Sequence, residues 1–276
     1  MTAIALALGA SLAWGAGDFL GGLGARRLST LTVLAGSTLA GLVAVAAYVV
    51  AAGDAPPPAG TVAIAACAGL AGSVGLGALY RGMAVGAMAV VAPISASAAV
   101  VPVVVGLALG DRPSRLQLLG MAIALGGVAL ASREPGSAER RLAAGVPLAL
   151  LAALGFGLYF LLIDPASDDG AAWAVLIARS ASAVATLGVA LTLRSGLPGR
   201  ADVPLLVTIG VFDVSANAML AVALTKGLVG LVAVLSSLYP VVTVLLARAL
   251  LGERVASTQR TGIVLALGGV AVIAAG

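Results

Sequence analysis

Gly110-Asp-Arg-Pro-Ser-Arg-Leu-Gln-Leu-Leu-Gly120 and Gly252-Glu-Arg-Val-Ala-Ser-Thr-Gln-Arg-Thr-Gly262 are the two stretches of sequence that decide the fold. They share a first Gly, an Arg, a Gln and a final Gly at a constant offset of 142 residues. The same offset places Ala-Leu-Gly-Gly-Val-Ala at 124–129 on 266–271, and Trp14-Gly15 on Phe156-Gly157. Matched charged residues and one offset held over three segments indicate an internal duplication.

The composition around these stretches is that of a membrane protein. Of 276 residues, 61% are hydrophobic and 9% are charged, whereas an ordinary soluble domain has roughly a quarter charged residues. A transmembrane helix needs about 20 mostly apolar residues, so the chain has room for ten helices and for no sizeable soluble domain. Apolar runs predict spans at 2–23, 30–52, 61–80, 84–108, 116–132, 142–163, 172–193, 204–225, 228–250 and 257–275.

The spans and the duplication together predict an all-α membrane protein of ten transmembrane helices. Residues 1–131 form the first five-helix repeat, 132–141 a polar linker, and 142–276 the second repeat. Because five is an odd number, the second repeat enters the bilayer from the opposite side. Such inverted repeats are typical of secondary transporters, whose substrate sites lie near the middle of the membrane.

Several functional classes are disfavoured by what the sequence contains. It has no histidine, which is the usual zinc ligand and neutral-pH base, and no G-x-x-x-x-G-K-[ST] loop for nucleotide phosphates. The basic residues are scattered between apolar runs, a pattern of loops at lipid headgroups rather than of a nucleic-acid surface. We therefore expect no cofactor, no metal, no enzymatic activity and no nucleic acid, with a small solute and the bilayer as partners.

The sequence resembles the EamA-type, ten-helix members of the drug/metabolite transporter superfamily. The resemblance rests on Trp14-Gly15, on the Gly-Glu-Arg-x5-Gln-x2-Gly run of 252–262 with its counterpart at 110–120, and on the Gly-Gly-Val endings of spans five and ten. It covers essentially the whole chain. The resemblance implies secondary transport without ATP, for example export of amino acids, metabolites or toxic compounds, and leaves the substrate open.

The short loops and the Ala/Gly bias indicate a multi-pass protein of a bacterial plasma (inner) membrane. Eleven arginines lie in or beside loops 1–2, 3–4, 5–6, 7–8 and 9–10, against three basic residues on the opposite face. This bias places both termini outside the cell, whereas the resemblance implies termini inside, and both orientations remain open. Two fused repeats can close a pathway within one chain, so a monomer suffices and the oligomeric state stays open.

Three ionisable residues lie well inside predicted spans, where each is costly without a partner, water or a function. Asp213 is at the middle of span eight, with Asn217 one turn further on the same face. Arg179 of span seven and Asp18 of span one lie off centre in opposite directions, about 12 Å apart in depth. We therefore expect Arg179 to pair with Asp213. Asp213 is the leading candidate for coupling or substrate binding, and a structural ion pair is the alternative.

Aromatic residues supply further candidates for substrate binding. Asp18 follows Trp14 by one turn, and an aromatic ring beside a carboxylate suits a cationic or amphipathic solute, although Asp18 could instead reach the interface. Phe160 occupies the position equivalent to Asp18 in the second repeat. Tyr80 and Tyr159 are candidate pore-lining residues, with interfacial anchoring as the alternative for Tyr80.

Proline in spans four and nine removes backbone donors from repeat-related helices. Pro93, Pro102 and Pro240 therefore predict kinks whose freed carbonyls line a cavity, together with Ser97 and Tyr239, and plain packing geometry is the alternative.

Two rival functions remain to be weighed. Gly15-Ala-Gly17-Asp18 and Phe212-Asp213 faintly resemble the motifs of intramembrane aspartyl proteases, whose two carboxylates share a proton. The reversed order, Phe in place of Tyr, the absence of Pro-Ala-Leu and the unequal depths oppose this reading. A passive facilitator, channel or scramblase-like protein has no sequence signature that separates it from a coupled carrier.

Overall fold

The described part of the chain is built from helices, with no β-strand among its residues. The computed structural model describes residues 1–25, 27–85, 95, 97–131, 142–194, 196, 198–251 and 256–276. A 3₁₀ turn, Ser97–Ala99, leads into the fourth helix. The helices are α1 Thr2–Ala25, α2 Thr30–Ala52, α3 Ala59–Val85, α4 Val100–Leu109, α5 Arg115–Ala131, α6 Leu142–Asp168, α7 Ala171–Thr192, α8 Val203–Leu224, α9 Val229–Ser236, α10 Tyr239–Leu251 and α11 Ser257–Ala275.

Six of these helices, α1, α2, α3, α6, α7 and α8, are long and apolar enough to cross a membrane. The apolar segments of α4, α5, α9 with α10, and α11 are shorter. The predicted spans 30–52 and 257–275 coincide with α2 and α11, whereas α3 and α6 each end five residues beyond the predicted spans. The first part of span four and the linker 132–141 lie outside the described residues.

Span nine, predicted as one helix over 228–250, is divided into α9 and α10 in the structure. The interruption falls at Ser237 and Leu238, between Ser236 and Tyr239. Pro240 is the second residue of α10 and has no N–H to donate to a carbonyl one turn earlier. The break thus lies beside Pro240, while Pro102 lies buried inside the continuous helix α4.

The distribution of residue sizes is that of a protein whose solvent is lipid. Many large apolar side chains point outward, with Val43 62% exposed, Val184 76% and Val264 69%. Alanines such as Ala7 and Ala216 are fully buried between helices. Small residues at helix interfaces allow close backbone approach, which supplies packing where lipid removes the hydrophobic drive for helices to associate.

The glutamine shared by the two duplicated stretches closes the first turn of a helix in each. Gln117 Oε1 accepts a hydrogen bond from the backbone N–H of Ser114 at 2.9 Å, at the start of α5. Gln259 Oε1 accepts one from the backbone N–H of Ala256 at 3.0 Å, at the start of α11. Each glutamine thus satisfies a donor that the helix itself leaves unpaired.

The helices α5 and α11 pack through the Gly-Gly-Val stretches. A Cβ added at Gly127 would lie 2.2 Å from the backbone nitrogen of Ala266, and one at Gly269 would lie 2.5 Å from that of Ala124. The 142-residue offset relates these two contacts, because it places Gly127 on Gly269 and Ala124 on Ala266. A Cβ at Gly120 would meet the carbonyl oxygen of Gly269, so the order of contacts shows that the two helices run antiparallel.

Other contacts define two faces of the bundle. A Cβ added at Gly227 would meet Ala3, and one at Gly276 would meet Ser114, so both termini share a face with the connections 110–114 and 225–228. We call this the terminal face. Thr32 Oγ1 donates to the carbonyl oxygen of Gly196 at 2.8 Å across the opposite face, which we call the far face.

Candidate functional site

A cavity of about 150 Å³ lies between helices of the two duplicated segments. Helices α1, α2 and α3 contribute to its wall from the first segment, and α6, α7 and α8 from the second. The lining side chains that carry a polar or aromatic group are Trp14, Asp18, Thr38, Ser73, Ser95, Phe156, Tyr159, Phe160, Arg179, Ser182, Thr186, Asp213, Asn217, Ser237 and Tyr239. The wall therefore combines charge, hydrogen-bonding groups and aromatic rings.

Asp213, at the middle of α8, is the centre of a polar network in this wall. Its carboxylate forms an ion pair with the guanidinium of Arg179 on α7, which is the pairing expected from the sequence. The other carboxylate oxygen, Oδ1, accepts from Trp14 Nε1 at 3.2 Å and from Asn217 Nδ2 at 3.3 Å. Three helices are joined at this one carboxylate, because Trp14 comes from α1.

Asn217 extends the network to a fourth helix. Its Nδ2 also donates to the backbone carbonyl of Asp213 at 2.7 Å, and its Oδ1 accepts a hydrogen bond from the Tyr159 hydroxyl on α6. Asn217 is buried, and both its amide nitrogen and its amide oxygen form hydrogen bonds. A movement of α6 relative to α8 therefore alters the surroundings of Asp213.

Aromatic rings form a second part of the wall. The ring of Trp14 meets Phe160 and Tyr239 edge to face, with ring centres 6.3 Å apart in both pairs. Tyr159 and Phe160 lie 6.2 Å apart. Edge-to-face packing holds ring planes at fixed angles, so the apolar part of the wall has a defined shape.

Asp18 lies one turn beyond Trp14 on α1 and also lines the cavity. Its side chain is exposed, and it makes no hydrogen bond or ion pair with any described residue. No hydrogen bond joins Asp18 to Asp213 in the described structure, and Arg179 neutralises the latter. Two carboxylates sharing a proton, as an aspartyl protease requires, are therefore absent from this arrangement.

The remaining sequence candidates fall in different places. Ser97 lies in the 3₁₀ turn and is half-buried, but its neighbours Ser95 and Ala98 are the residues that line the cavity. Tyr80 lies in α3, and its side chain, like Pro93, is outside the described residues. The described residues hold no group of three histidine, cysteine or acidic side chains that could bind a metal.

Sequence reasoning missed several lining residues. Ser73, Ser182 and Thr186 are small polar residues inside spans and carry no charge that would single them out. Phe156 did have a signal, since it is the counterpart of Trp14 at the 142-residue offset, and both line the cavity. The neighbouring glycines, Gly15 and Gly157, are related by the same offset, and both are in tight contacts: added Cβ atoms would meet Val242 at 2.4 Å and Val101 at 2.5 Å.

Packed core lies between the cavity and the terminal face. On that side lies the main hydrophobic core, which includes the fully buried Ala7, Ile163, Leu220 and Val232. The lining residues of α1 and α3 lie in the halves of these helices nearer the far face, whereas those of α6, Phe156, Tyr159 and Phe160, lie in its half nearer the terminal face. The cavity thus lies in the middle of the bundle.

Two hydrogen bonds join helices at the terminal face. Thr61 at the start of α3 donates to the carboxylate of Asp169 after α6, and Trp173 Nε1 donates to the carbonyl oxygen of Asp54 at 3.1 Å. The carbonyls of Asp54 and Gly196 are equivalent at the 142-residue offset, and each binds a side chain near the start of the second helix of the other segment.

A helical bundle with lipid-facing apolar side chains and a polar central cavity is a multi-pass membrane protein of transporter type. The model of the EamA-like transporter family matches the chain twice, over residues 1–133 and 143–275. The chain therefore belongs to the EamA-like transporter family, within the drug/metabolite transporter superfamily.

The fold is also found among solved structures. One, titled only "Crystal structure of protein", aligns with a TM-score of 0.82 and 18% sequence identity, covering 98% of this chain and 95% of its own. This likeness shows a shared fold. No curated protein matches the chain.

Proposed function

We propose that this protein is a secondary active transporter that exports a small metabolite, amino-acid-like or drug-like, by alternating access. The cavity is the single observation that carries the proposal. It has polar and aromatic walls, lies between the two duplicated segments, and is separated from the terminal face by packed core. Such a site can exchange its solute with either face when that side of the bundle opens and the other side closes.

Two inverted five-helix repeats would provide that exchange of faces. The antiparallel contact of α5 with α11, repeated through equivalent residues, supports a pseudo-two-fold axis across the helices. The equivalent backbone carbonyls of Asp54 and Gly196 support this axis independently, because each accepts a hydrogen bond from the other segment at one face of the bundle. In an inverted repeat, the second state follows when the two halves exchange conformations around a fixed site.

Asp213 is the proposed coupling residue. Its side chain is 31% exposed, so a proton or an ammonium group in the cavity can reach it, whereas that of Arg179 is 14% exposed. Protonation of Asp213 would remove the charge that holds Arg179 and would weaken the junction of α1, α7 and α8. A ligand shifts the balance between inward and outward states only through its different affinity for them, and this junction is where such a difference would arise.

The experiment uses protein in liposomes with an internal pH dye and an imposed proton gradient. Pools of amino acids, amines and organic anions are added to wild type, Asp213→Asn and the control Asp168→Asn, whose carboxylate is exposed at the end of α6. We expect solute-dependent proton flux in wild type and in the control, and its loss in Asp213→Asn.

A passive facilitator is the alternative. If labelled solute crosses at equal rates in wild type and Asp213→Asn without proton movement, the protein is a facilitator and Asp213 is structural. We place the transporter in a bacterial plasma membrane, and we propose that one chain is the functional unit because the cavity is lined by both of its halves.

A further inference from the structure

The charges that line the cavity do not balance. Two carboxylates, Asp18 and Asp213, and one guanidinium, Arg179, are the formally charged groups among its described lining residues, which leaves a net charge of −1. Arg179 neutralises Asp213. The uncompensated charge is therefore that of Asp18, and a charge in a membrane interior needs a counter-charge, water or a function.

The surroundings of Asp18 resemble a receptor for an ammonium group. Trp14 lies one turn away on the same helix, and Trp14, Phe160 and Tyr239 form the edge-to-face cluster of the wall. Aromatic faces attract cations, most strongly where water is excluded. A carboxylate and aromatic rings in one wall give a cation both a charge partner and an apolar contact surface.

The same wall offers no free partner to an anion. Among the described lining residues, the guanidinium group is that of Arg179, and it is already paired with Asp213. A carboxylate on the solute would have to displace Asp213 from this pair and would also meet the charge of Asp18. An amine is thus favoured over the amino acid with the same side chain.

The size of the cavity limits the body of the solute. A cavity of about 150 Å³ in an engineered protein binds benzene, and the cavity here has about the same volume. One ring with a short chain fits this space.

We propose that the cavity binds a monovalent organic cation, a small amine with an apolar or aromatic body, with its ammonium group on Asp18 and its body against Trp14 and Tyr239. This assignment rests on the proposed function and adds the class of its solute. Asp18 is the residue that determines charge specificity, whereas Asp213 remains the coupling residue.

The test measures binding of radiolabelled phenethylamine to the purified full-length protein in detergent. Phenylalanine and phenylacetate serve as competitors, because both keep the ring and add a carboxylate. We expect phenethylamine to bind, and both competitors to be at least about tenfold weaker, because their carboxylate meets Asp18 without a free cation.

Three variants connect the result to Asp18. Asp18→Asn keeps the size of the side chain and removes its charge, so it should weaken phenethylamine binding about tenfold or more. Asp18→Glu keeps the charge and should bind within a few-fold of wild type. Asp168→Asn removes an exposed carboxylate elsewhere and should bind as wild type does. Thermal unfolding of each variant confirms that the protein is folded.

Transport separates this inference from the proposed function. If the protein in liposomes transports phenylalanine or phenylacetate but not phenethylamine, it is a transporter and the cation assignment is wrong. Phenethylamine that binds folded Asp18→Asn as tightly as wild type also overturns the assignment, as does failure of the amine to bind at all. If no solute of any class crosses the membrane, the proposed function fails as well.

Discussion

Arg179 on α7 forms an ion pair with Asp213 on α8 in the wall of the cavity, and solvent still reaches 31% of the aspartate side chain. Removing one partner of a buried ion pair leaves an uncompensated charge and costs about 3–5 kcal/mol. Because Asp213 is partly exposed, we expect each of Arg179→Ala and Asp213→Ala to lower the free energy of unfolding by about 2 kcal/mol. The double variant should lose less than the sum. Unfolding in mixed micelles titrated with SDS measures all three, and additive losses would show that the pair does not contribute.

The hydrogen bond from Tyr159 to Asn217 gives a second prediction. Tyr159→Phe leaves the buried Asn217 oxygen without its donor, which should cost about 1–3 kcal/mol of unfolding free energy and slow transport. Tyr48→Phe is the matched control, since Tyr48 is 63% exposed on the bundle surface. The same SDS titration compares the two variants. Equal stability of both would mean that the hydrogen bond to Asn217 is of no consequence.

The two Gly-Gly pairs allow a matched comparison of neighbouring positions. Gly127→Ala and Gly269→Ala place a methyl group within 2.5 Å of backbone on the facing helix, whereas at Gly126 and Gly268 an added Cβ meets nothing within 4 Å. We expect the first two variants to destabilise the protein by about 1–3 kcal/mol through overpacking.

The variants at Gly126 and Gly268 should be neutral or stabilising by up to about 1 kcal/mol, from helix propensity. Thermal unfolding in detergent orders the four proteins. A loss of stability at Gly126 equal to that at Gly127 would contradict the close approach of α5 and α11.

Access to the cavity supplies a fourth prediction. With the native cysteine removed by Cys67→Ser, a reporter cysteine in Ser73→Cys should react faster with a membrane-impermeant maleimide added at the far face than at the terminal face. Replacing Thr61 by Val and Trp173 by Phe removes the two hydrogen bonds at the terminal face, and should speed labelling from that face. Vesicles of both orientations give the two rates, and unchanged rates in the double variant would show that core packing alone keeps that side closed.

Much of the fold could be predicted from local signals. Span 30–52 coincides with α2 because Ser29 caps its start, accepting from the Thr32 N–H at 3.1 Å, and Gly53 ends it with φ +69°. The position of the break in span nine could not be predicted from the sequence, since its apolar run is continuous. Pro240 predicts an irregularity but does not determine the residue at which the helix ends.

The candidate site was predictable where charge is involved. An ionisable residue within a span needs a partner, and depth along the helices was enough to pair Arg179 with Asp213. Uncharged lining residues such as Ser182 and Thr186 resemble any other small polar residue of a span, because their position depends on how helices rotate against their neighbours. The link from Tyr159 to Asn217 joins residues 58 apart in sequence and follows from tertiary packing alone.

The glycine contact between α5 and α11 has a bearing on how such a chain originates. Residues 120–127 meet residues 262–269 through equivalent positions on both sides, so this surface is complementary to a copy of itself. A single ancestral half could therefore have assembled as an antiparallel homodimer before gene fusion. The same self-complementarity predicts that residues 1–131 and 142–276, coexpressed as separate polypeptides, reassemble into a working unit.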